Sequence, residues 1–253
     1  MAESAATPAA ASSTPVSPFV TTHWSVVLAA GEGGSPQAAA ALEELCRAYW
    51  YPLYAYVRRR GYAAHDAQDL TQAFFARLLE RRSFAGIERE GGRFRSFLLT
   101  ALSRFLRDEW EKLRAEKRGG GRAVLSLDEQ DADERYRVEP VDDLSADKLF
   151  ERRWAMAVLE AALEKLRAEC AGDGKARHFE LLAPLLTDDV PDGAYEGLGQ
   201  RLHLAPGTVS VTLHRLRKRY RELVRAAVAS TVANPADVEA ELHALRAALR
   251  GDR

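Results

Sequence analysis

Val209, Leu213, Leu216, Tyr220 and Leu223 recur at intervals of 4, 3, 4 and 3 residues. That is the period of an α-helix with one apolar face, and a strand, whose faces alternate every second residue, cannot reproduce it. The same period returns along most of the chain. Leu42, Leu45, Cys46, Tyr49, Leu53 and Val57 carry it first, then Leu70, Phe74 and Leu78. Phe94, Phe97, Leu98, Ala101, Leu102, Phe105 and Leu113 carry it next, and Val238, Leu242, Leu245 and Leu249 close the chain. No repeat and no strand-type alternation of useful length interrupts it. The expected fold class is all-α: two small helical domains joined by an acidic linker, the second containing a helix-turn-helix.

Punctuation sets the expected boundaries. Residues 1–21 are rich in Ala, Ser, Thr and Pro and read as a disordered tail. They lack the basic start and Leu-rich centre of a signal peptide. The first domain covers 22–118. Within it Pro52 should kink or divide a helix, Gly61 should end it, and Asp66 is a candidate N-cap for the next. The triple glycine 119–121 ends the following long helix. The linker covers 119–148, and a second helical domain, 149–231, starts near Phe150. A C-terminal helical extension, 232–253, has Pro235 near its first turn.

Charge sharpens this division. The chain has a formal net charge of −1, yet residues 89–122 carry ten basic and five acidic side chains. Residues 126–151 carry three basic and ten acidic ones, and 195–225 seven basic and two acidic. Two cationic blocks flank an anionic one, a pattern that the whole-chain sum conceals and that nucleic-acid binding would use.

In 195–223 a short helix from Tyr195 to Leu202, a tight turn through His203–Ala205 and a second helix from about Pro206 have the outline of a helix-turn-helix. Opposite the apolar stripe of the second helix stand Gly207, Val211, His214 and Lys218, flanked by Ser210, Arg215 and Arg221. Small residues at its start would let it approach a major groove closely, and Ser210, His214 and Arg215 would reach base edges. Val211 would meet a thymine methyl. The Arg and Lys side chains toward its end would grip phosphate. The alternative is a solvated cationic helix with one stray valine. Along the long helix of the first domain, Arg104, Arg107, Arg114 and Arg118 form a second cationic row, interrupted by Glu111. A solvated helix stapled by pairs such as Asp108–Lys112 is its plainer reading.

Chemistry is scarce. There is no phosphate-binding glycine loop, no nucleophile motif, and the six histidines form no metal-spaced pair. Cys46 and Cys170 have no partner spacing, which fits a reducing cytoplasm. No apolar run approaches the roughly 20 residues that span a bilayer. The expectation is a cytoplasmic protein that is not an enzyme, with no metal, no cofactor and no membrane contact.

Three stretches in order resemble a known family. "DAQDLTQAFFARLLE" is similar to the core-polymerase-binding helix of bacterial sigma factors of the extracytoplasmic-function (ECF) type. "GRFRSFLLTALSRFLRDEW" resembles the helices that melt and read the −10 promoter element, and "YEGLGQRLHLAPGTVSVTLHRLRKRYREL" resembles the −35-reading helix-turn-helix. The likeness covers roughly residues 22–230. It implies a protein that joins core RNA polymerase and directs promoter recognition. Asp66, Gln68, Asp69, Gln72 and Phe75 would then dock on the clamp helices of the polymerase's largest subunit. Arg93, Arg95, Arg104, Arg107, Asp108, Arg114 and Arg118 would contact −10 DNA. Thr208, Ser210, Val211, His214, Arg215, Arg217, Lys218 and Arg219 would contact −35 DNA. An anti-sigma factor or another regulator is a further implied partner. The acidic linker, with Asp128, Glu129, Asp131, Asp133 and Glu134, would mimic phosphate in the polymerase channel, or serve only as a spacer.

The sequence departs from the family at Arg104, where an Asn is usual, at Glu111, where a basic residue is usual, and at Phe97, often a Trp. Gly197 and Gly199 replace better helix formers and should weaken their helix by about 1 kcal/mol each. The competing reading is a conventional helix-turn-helix regulator with a helical sensing domain, which has no need of the "DAQDLTQAFF" helix. A helical interaction protein would leave both cationic surfaces unexplained.

Overall fold

The computed structural model describes residues 36–81, 93–116, 136, 144–188, 190–191 and 193–250. Among these residues the chain is all-helical. Eight α-helices run in the order α1 (Pro36–Arg59), α2 (Ala64–Arg81), α3 (Phe94–Glu116), α4 (Ala146–Gly172), α5 (Ala176–Leu182), α6 (Ala194–Leu202), α7 (Pro206–Ala229) and α8 (Val238–Arg250). Short 3-10 turns at Ala183–Leu185 and Pro235–Asp237 complete the described elements. An isolated antiparallel bridge, Arg93 with Val232, takes the place of any strand among them. The all-α expectation holds. The expected tail 1–21 lies outside the described residues, as does the linker 119–148 apart from Tyr136 and residues 144–148. No helix of the described residues is long and apolar enough to cross a membrane.

Pro52 does not divide its helix as its sequence position led us to expect. α1 runs unbroken through it. The lost hydrogen bond and ring clash cost roughly 3 kcal/mol. Around the proline Tyr49, Leu53, Tyr54, Ala55, Tyr56 and Val57 are all buried, and complete burial of one such large side chain contributes about 1.5–3 kcal/mol. Tertiary packing therefore outweighs the local defect. Gly61 ends the helix as expected, with φ +95° and its N–H bonded to the Arg58 carbonyl. Asp66 is not the N-cap. The next helix starts at Ala64, and the Ala67 N–H already bonds the Ala63 carbonyl at 2.9 Å. Asp66 sits in the first turn, where its carboxylate suits the positive end of the helix dipole.

α4 joins the elements before and after it. At 27 residues it is about 40 Å long. It starts four residues before the expected Phe150, because Ser145 caps it: the Ser145 Oγ accepts from the Lys148 N–H at 3.3 Å. Leu149, Phe150, Trp154, Ala155 and Val158 are buried in its first half, and Ala162, Leu166 and Cys170 in its second. α4 packs against α1, α5, α7 and α8, so one apolar core runs from Leu42 to Leu245. It ends in a glycine turn, in which Gly174 takes φ +70° and the Lys175 N–H reaches the Cys170 carbonyl at 2.7 Å.

The turn from α6 to α7 is built on close backbone approach. His203 adopts the left-handed conformation at φ +57°, and the Leu204 N–H bonds the Gly199 carbonyl at 2.9 Å. A Cβ at position 199 would stand 2.6 Å from the Leu204 carbonyl oxygen. Gly199 is thus required by the turn rather than being a mere weakness in α6. Gly197 meets nothing within 4 Å and has no such reason. Pro206 then opens α7 at its first position, where a missing N–H has no cost.

Candidate nucleic-acid interface

α7 divides as its spacing predicts. Val209, Leu213, Tyr220, Leu223, Val224 and Val228 are buried, and Leu216 packs partly against the core. The Tyr220 hydroxyl donates to the Leu159 carbonyl of α4 at 3.2 Å, which fixes the roll of the helix. Gly207, Thr208, Val211, His214, Arg215, Lys218 and Arg221 are exposed on the far side, with Ser210 half-buried beside them. Val211 is 51% exposed in this polar ridge.

Two arginines of the predicted phosphate grip are engaged by other elements of the protein instead, Arg217 half-buried and Arg219 at the surface. Arg217 donates from Nε to the Leu185 carbonyl at 3.0 Å and from a terminal nitrogen to the same oxygen at 2.8 Å. It also donates to the Asp188 carbonyl. These oxygens end the 183–185 turn, so Arg217 ties α7 to that segment. Arg219 makes a two-pronged pair with Glu169 of α4, at 2.8 and 2.7 Å, and a contact with Glu222 at 3.2 Å. The hydrogen bonds that Arg219 donates to Glu169 and Glu222 raise the guanidinium's pKa, and the bond from Arg219 lowers that of the Glu169 carboxyl. The geometry gives both arginines an orienting part, because their donors are engaged within the protein. Besides Arg219, whose guanidinium is held by Glu169 and Glu222, α7 presents outward Gly207, Thr208, Val211, His214, Arg215, Lys218 and Arg221, with Ser210 half-buried among them.

On α3, Arg104, Arg107 and Trp110 are exposed, opposite a core face of Phe94, Leu98, Leu102, Phe105 and Leu106. Asp108 pairs with Arg77 of α2 at 3.4 Å, and that guanidinium also lies 5.7 Å from the Phe105 ring centre. Sequence reading passed over Arg77, whose role depends on a partner 31 residues away. Lys112 pairs with Glu109 at 2.6 Å, three residues back, and not with the expected Asp108. Arg114 belongs to α3, whereas Arg118 lies outside the described residues.

Arg95 departs furthest from expectation. Nine residues separate it from Arg104, about 900° of helix or half a turn, so the two stand on opposite faces. Arg95 shares the core face with Leu98, Leu102 and Leu106, and is 7% exposed. Its guanidinium reaches Glu241 of α8 through two bonds, at 2.5 and 3.1 Å, and Glu151 of α4 through a third. It lies 4.8 Å from the ring centre of Trp154. Burial disfavours its charge, but the two carboxylates more than offset this and its pKa rises. Arg93, half-buried, is 3.4 Å from the same Glu241 carboxylate. Arg95 cannot contact DNA from this position. A buried charge needs a closely placed counter-charge to offset its own desolvation and that of its partner, and the fully buried Glu241 supplies it through two hydrogen bonds.

The α2 surface is also narrower than expected. Gln68 and Phe75 are buried, at 5% and 7% exposure, so they are not part of an outer docking face. Phe75 packs beside Phe74, with ring centres 5.5 Å apart. Asp66 is exposed, Asp69 is half-buried 3.6 Å from His65, and Gln72 is half-buried. Leu79, 38% exposed, remains an apolar border to them. The error at Gln68 has a simple cause. Counting from Leu70 puts Gln68 on the outer side, whereas the buried set Ala67, Thr71, Phe74, Phe75 and Leu78 centres the core face about one residue further along.

Among the described residues no group of three or more His, Cys, Asp or Glu could hold a metal ion. No family model, no curated protein and no solved structure matches the chain.

Proposed function

We propose that the chain is a sigma factor of the ECF type, which joins core RNA polymerase and directs promoter recognition and opening. The single observation that carries this reading is the outer ridge of α7. An exposed valine between Ser210, His214, Arg215 and Lys218, behind a short helix and a tight turn, suits a major-groove reader. The exposed Arg104, Arg107 and Trp110 of α3 supply a second cationic surface with an aromatic side chain, as contact with opened DNA requires. Asp66, Asp69, Gln72 and Leu79 form a polar patch with an apolar edge on α2, the composition of a transient protein interface. In this reading the two helical blocks, joined by the acidic linker 119–148 and packed on one apolar core, carry the −10 and −35 contacts respectively. Arg215 is the strongest base reader, and Lys218 the phosphate grip. No catalysis and no cofactor is involved.

The burial of Gln68 and Phe75 favours a second reading, a conventional helix-turn-helix regulator that binds an operator without polymerase. Run-off transcription with purified core polymerase on genomic fragments separates the two. The sigma reading expects the protein to co-purify with core and to support initiation. A protein that binds DNA specifically while doing neither is the regulator.

A further inference from the structure

The C-terminal segment makes four contacts with the start of α3. The Phe94 N–H, at the first residue of α3, donates to the Thr231 carbonyl at 3.1 Å. Arg93 forms the antiparallel bridge with Val232. Arg95 and Arg93 both reach the Glu241 carboxylate of α8. Thr231, Val232 and Glu241 are all buried. These residues follow directly on the end of α7 at Ala229, so the helix with the outer ridge runs straight into the junction where α3 begins.

Two explanations compete for this junction. One makes α8 a plug whose carboxylate takes a place that phosphate would otherwise fill. The alternative is a seat, without which α3 has no fixed start. The register of Arg95 decides between them. It stands half a turn from Arg104, in line with Leu102 and Leu106, so removing α8 would not turn it toward the outer surface. It would leave a buried cation in the core without the Glu241 half of its pairing, and a buried ion stripped of its partner is strongly destabilising.

We infer that residues 230–250 are the seat of α3, with Glu241 as a positioning residue that holds the Arg104 and Arg107 surface in place through Arg95. The inference rests on the proposed function only for what that surface binds. One junction then serves both helices, and a change at the far end of the chain is felt at a surface it does not touch.

The test uses the full chain and hydrogen exchange. Glu241→Gln is expected to speed exchange of the Phe94, Phe97 and Leu98 amides about tenfold or more, while the α7 amides around Leu213 keep their protection. The double variant Arg95→Met, Glu241→Leu removes both charges together and is expected to restore slow exchange. If Glu241→Gln fails to fold, that double variant is compared with Arg95→Met alone, which leaves the buried Glu241 with only the half-buried Arg93 and should loosen the same amides. Unchanged exchange, or loosening spread evenly over α7 as well, overturns the inference. The second readout is binding, with core polymerase, to a promoter fragment recovered by run-off transcription. Glu241→Gln should weaken it several-fold at a temperature where the variant is fully folded, with the salt dependence unchanged. Tighter binding would mean that α8 is a plug and would also overturn the inference. If the wild-type chain neither joins core nor initiates, the proposed function fails, and the exchange experiment still judges the seat.

Discussion

Gly199→Ala and Gly197→Ala differ by two positions in one short helix and should move stability in opposite directions. A Cβ at position 199 would stand 2.6 Å from the Leu204 carbonyl oxygen. An ordinary contact there begins at 3.4 Å, so the two would have to part by about 0.8 Å. The oxygen cannot recede freely, because the Leu204 N–H is bonded to the Gly199 carbonyl at 2.9 Å and His203 already occupies the left-handed conformation. Overpacking of this kind costs about 1–3 kcal/mol, and a lost hydrogen bond about 0.5–1.5 kcal/mol more. Alanine recovers about 1 kcal/mol of helix propensity. The expected net effect is a loss of about 1–3 kcal/mol, or roughly 3–10 °C in Tm for a chain of this size. At Gly197, with open space around it, only the propensity gain remains, up to about 1 kcal/mol. Urea denaturation, with the slope m required to stay constant, measures both. Equal shifts for the two variants, or a stabilised Gly199→Ala, would refute the claim that backbone approach at the turn dictates the glycine. Gly199→Ala should also weaken DNA binding, because the turn sets the angle at which α7 leaves α6.

Arg217→Ala and Lys218→Ala separate orientation from phosphate contact. Lys218→Ala should reduce the slope of log K against log salt by about one, whereas Arg217→Ala should weaken binding with that slope unchanged and lower Tm as well. Equal slope changes would return Arg217 to the phosphate set. Both thiols should resist modification: burial pushes the Cys46 pKa up to about 12 and raises that of Cys170. A thiol reagent at pH 8 should therefore label neither cysteine at a useful rate until the protein unfolds, and fast labelling of the native chain would contradict the packing. The Glu169 carboxyl is held below its usual pKa, first by the hydrogen bond from Arg219. Its contribution is present above the ordinary carboxylate pKa and lost as pH falls through the lowered value. Because the pair is exposed, Glu169→Gln should flatten the acid limb of the stability curve only slightly, and a large effect would show a buried role that the structure lacks.

Local periodicity and punctuation were enough to read all eight described helices as helical segments. The 4-3-4-3 stripe on α7 predicted its buried face, and "HLA" before Pro206 predicted the turn, because both depend on neighbours within a few residues. Pro52 misled for the complementary reason. A proline's cost is local, but the burial that offsets it comes from α4, almost a hundred residues away. Ser145 with Asp147 behind it was a legible cap at the start of α4, and was passed over in favour of the first bulky residue, Phe150.

The candidate surface followed the same division. Val211, His214, Arg215 and Lys218 could be placed outside by counting from the stripe, since an angle along one helix needs no other information. Which arginines are claimed by another element could not be counted in this way. Arg217, Arg219 and Arg95 are as cationic in the sequence as Arg215 or Arg104. Their partners are the Leu185 carbonyl, Glu169 and Glu241, lying 32, 50 and 146 residues away. A guanidinium has five donors and is drawn to whichever acceptor is nearest in space. The amino-acid sequence by itself determined where helices form and which way α7 faces, while the face of α2 was legible only to within about one residue. Only the tertiary structure decided which charges are spent inside the fold, because the acceptors that claim them are brought close by packing between helices and not by order along the chain.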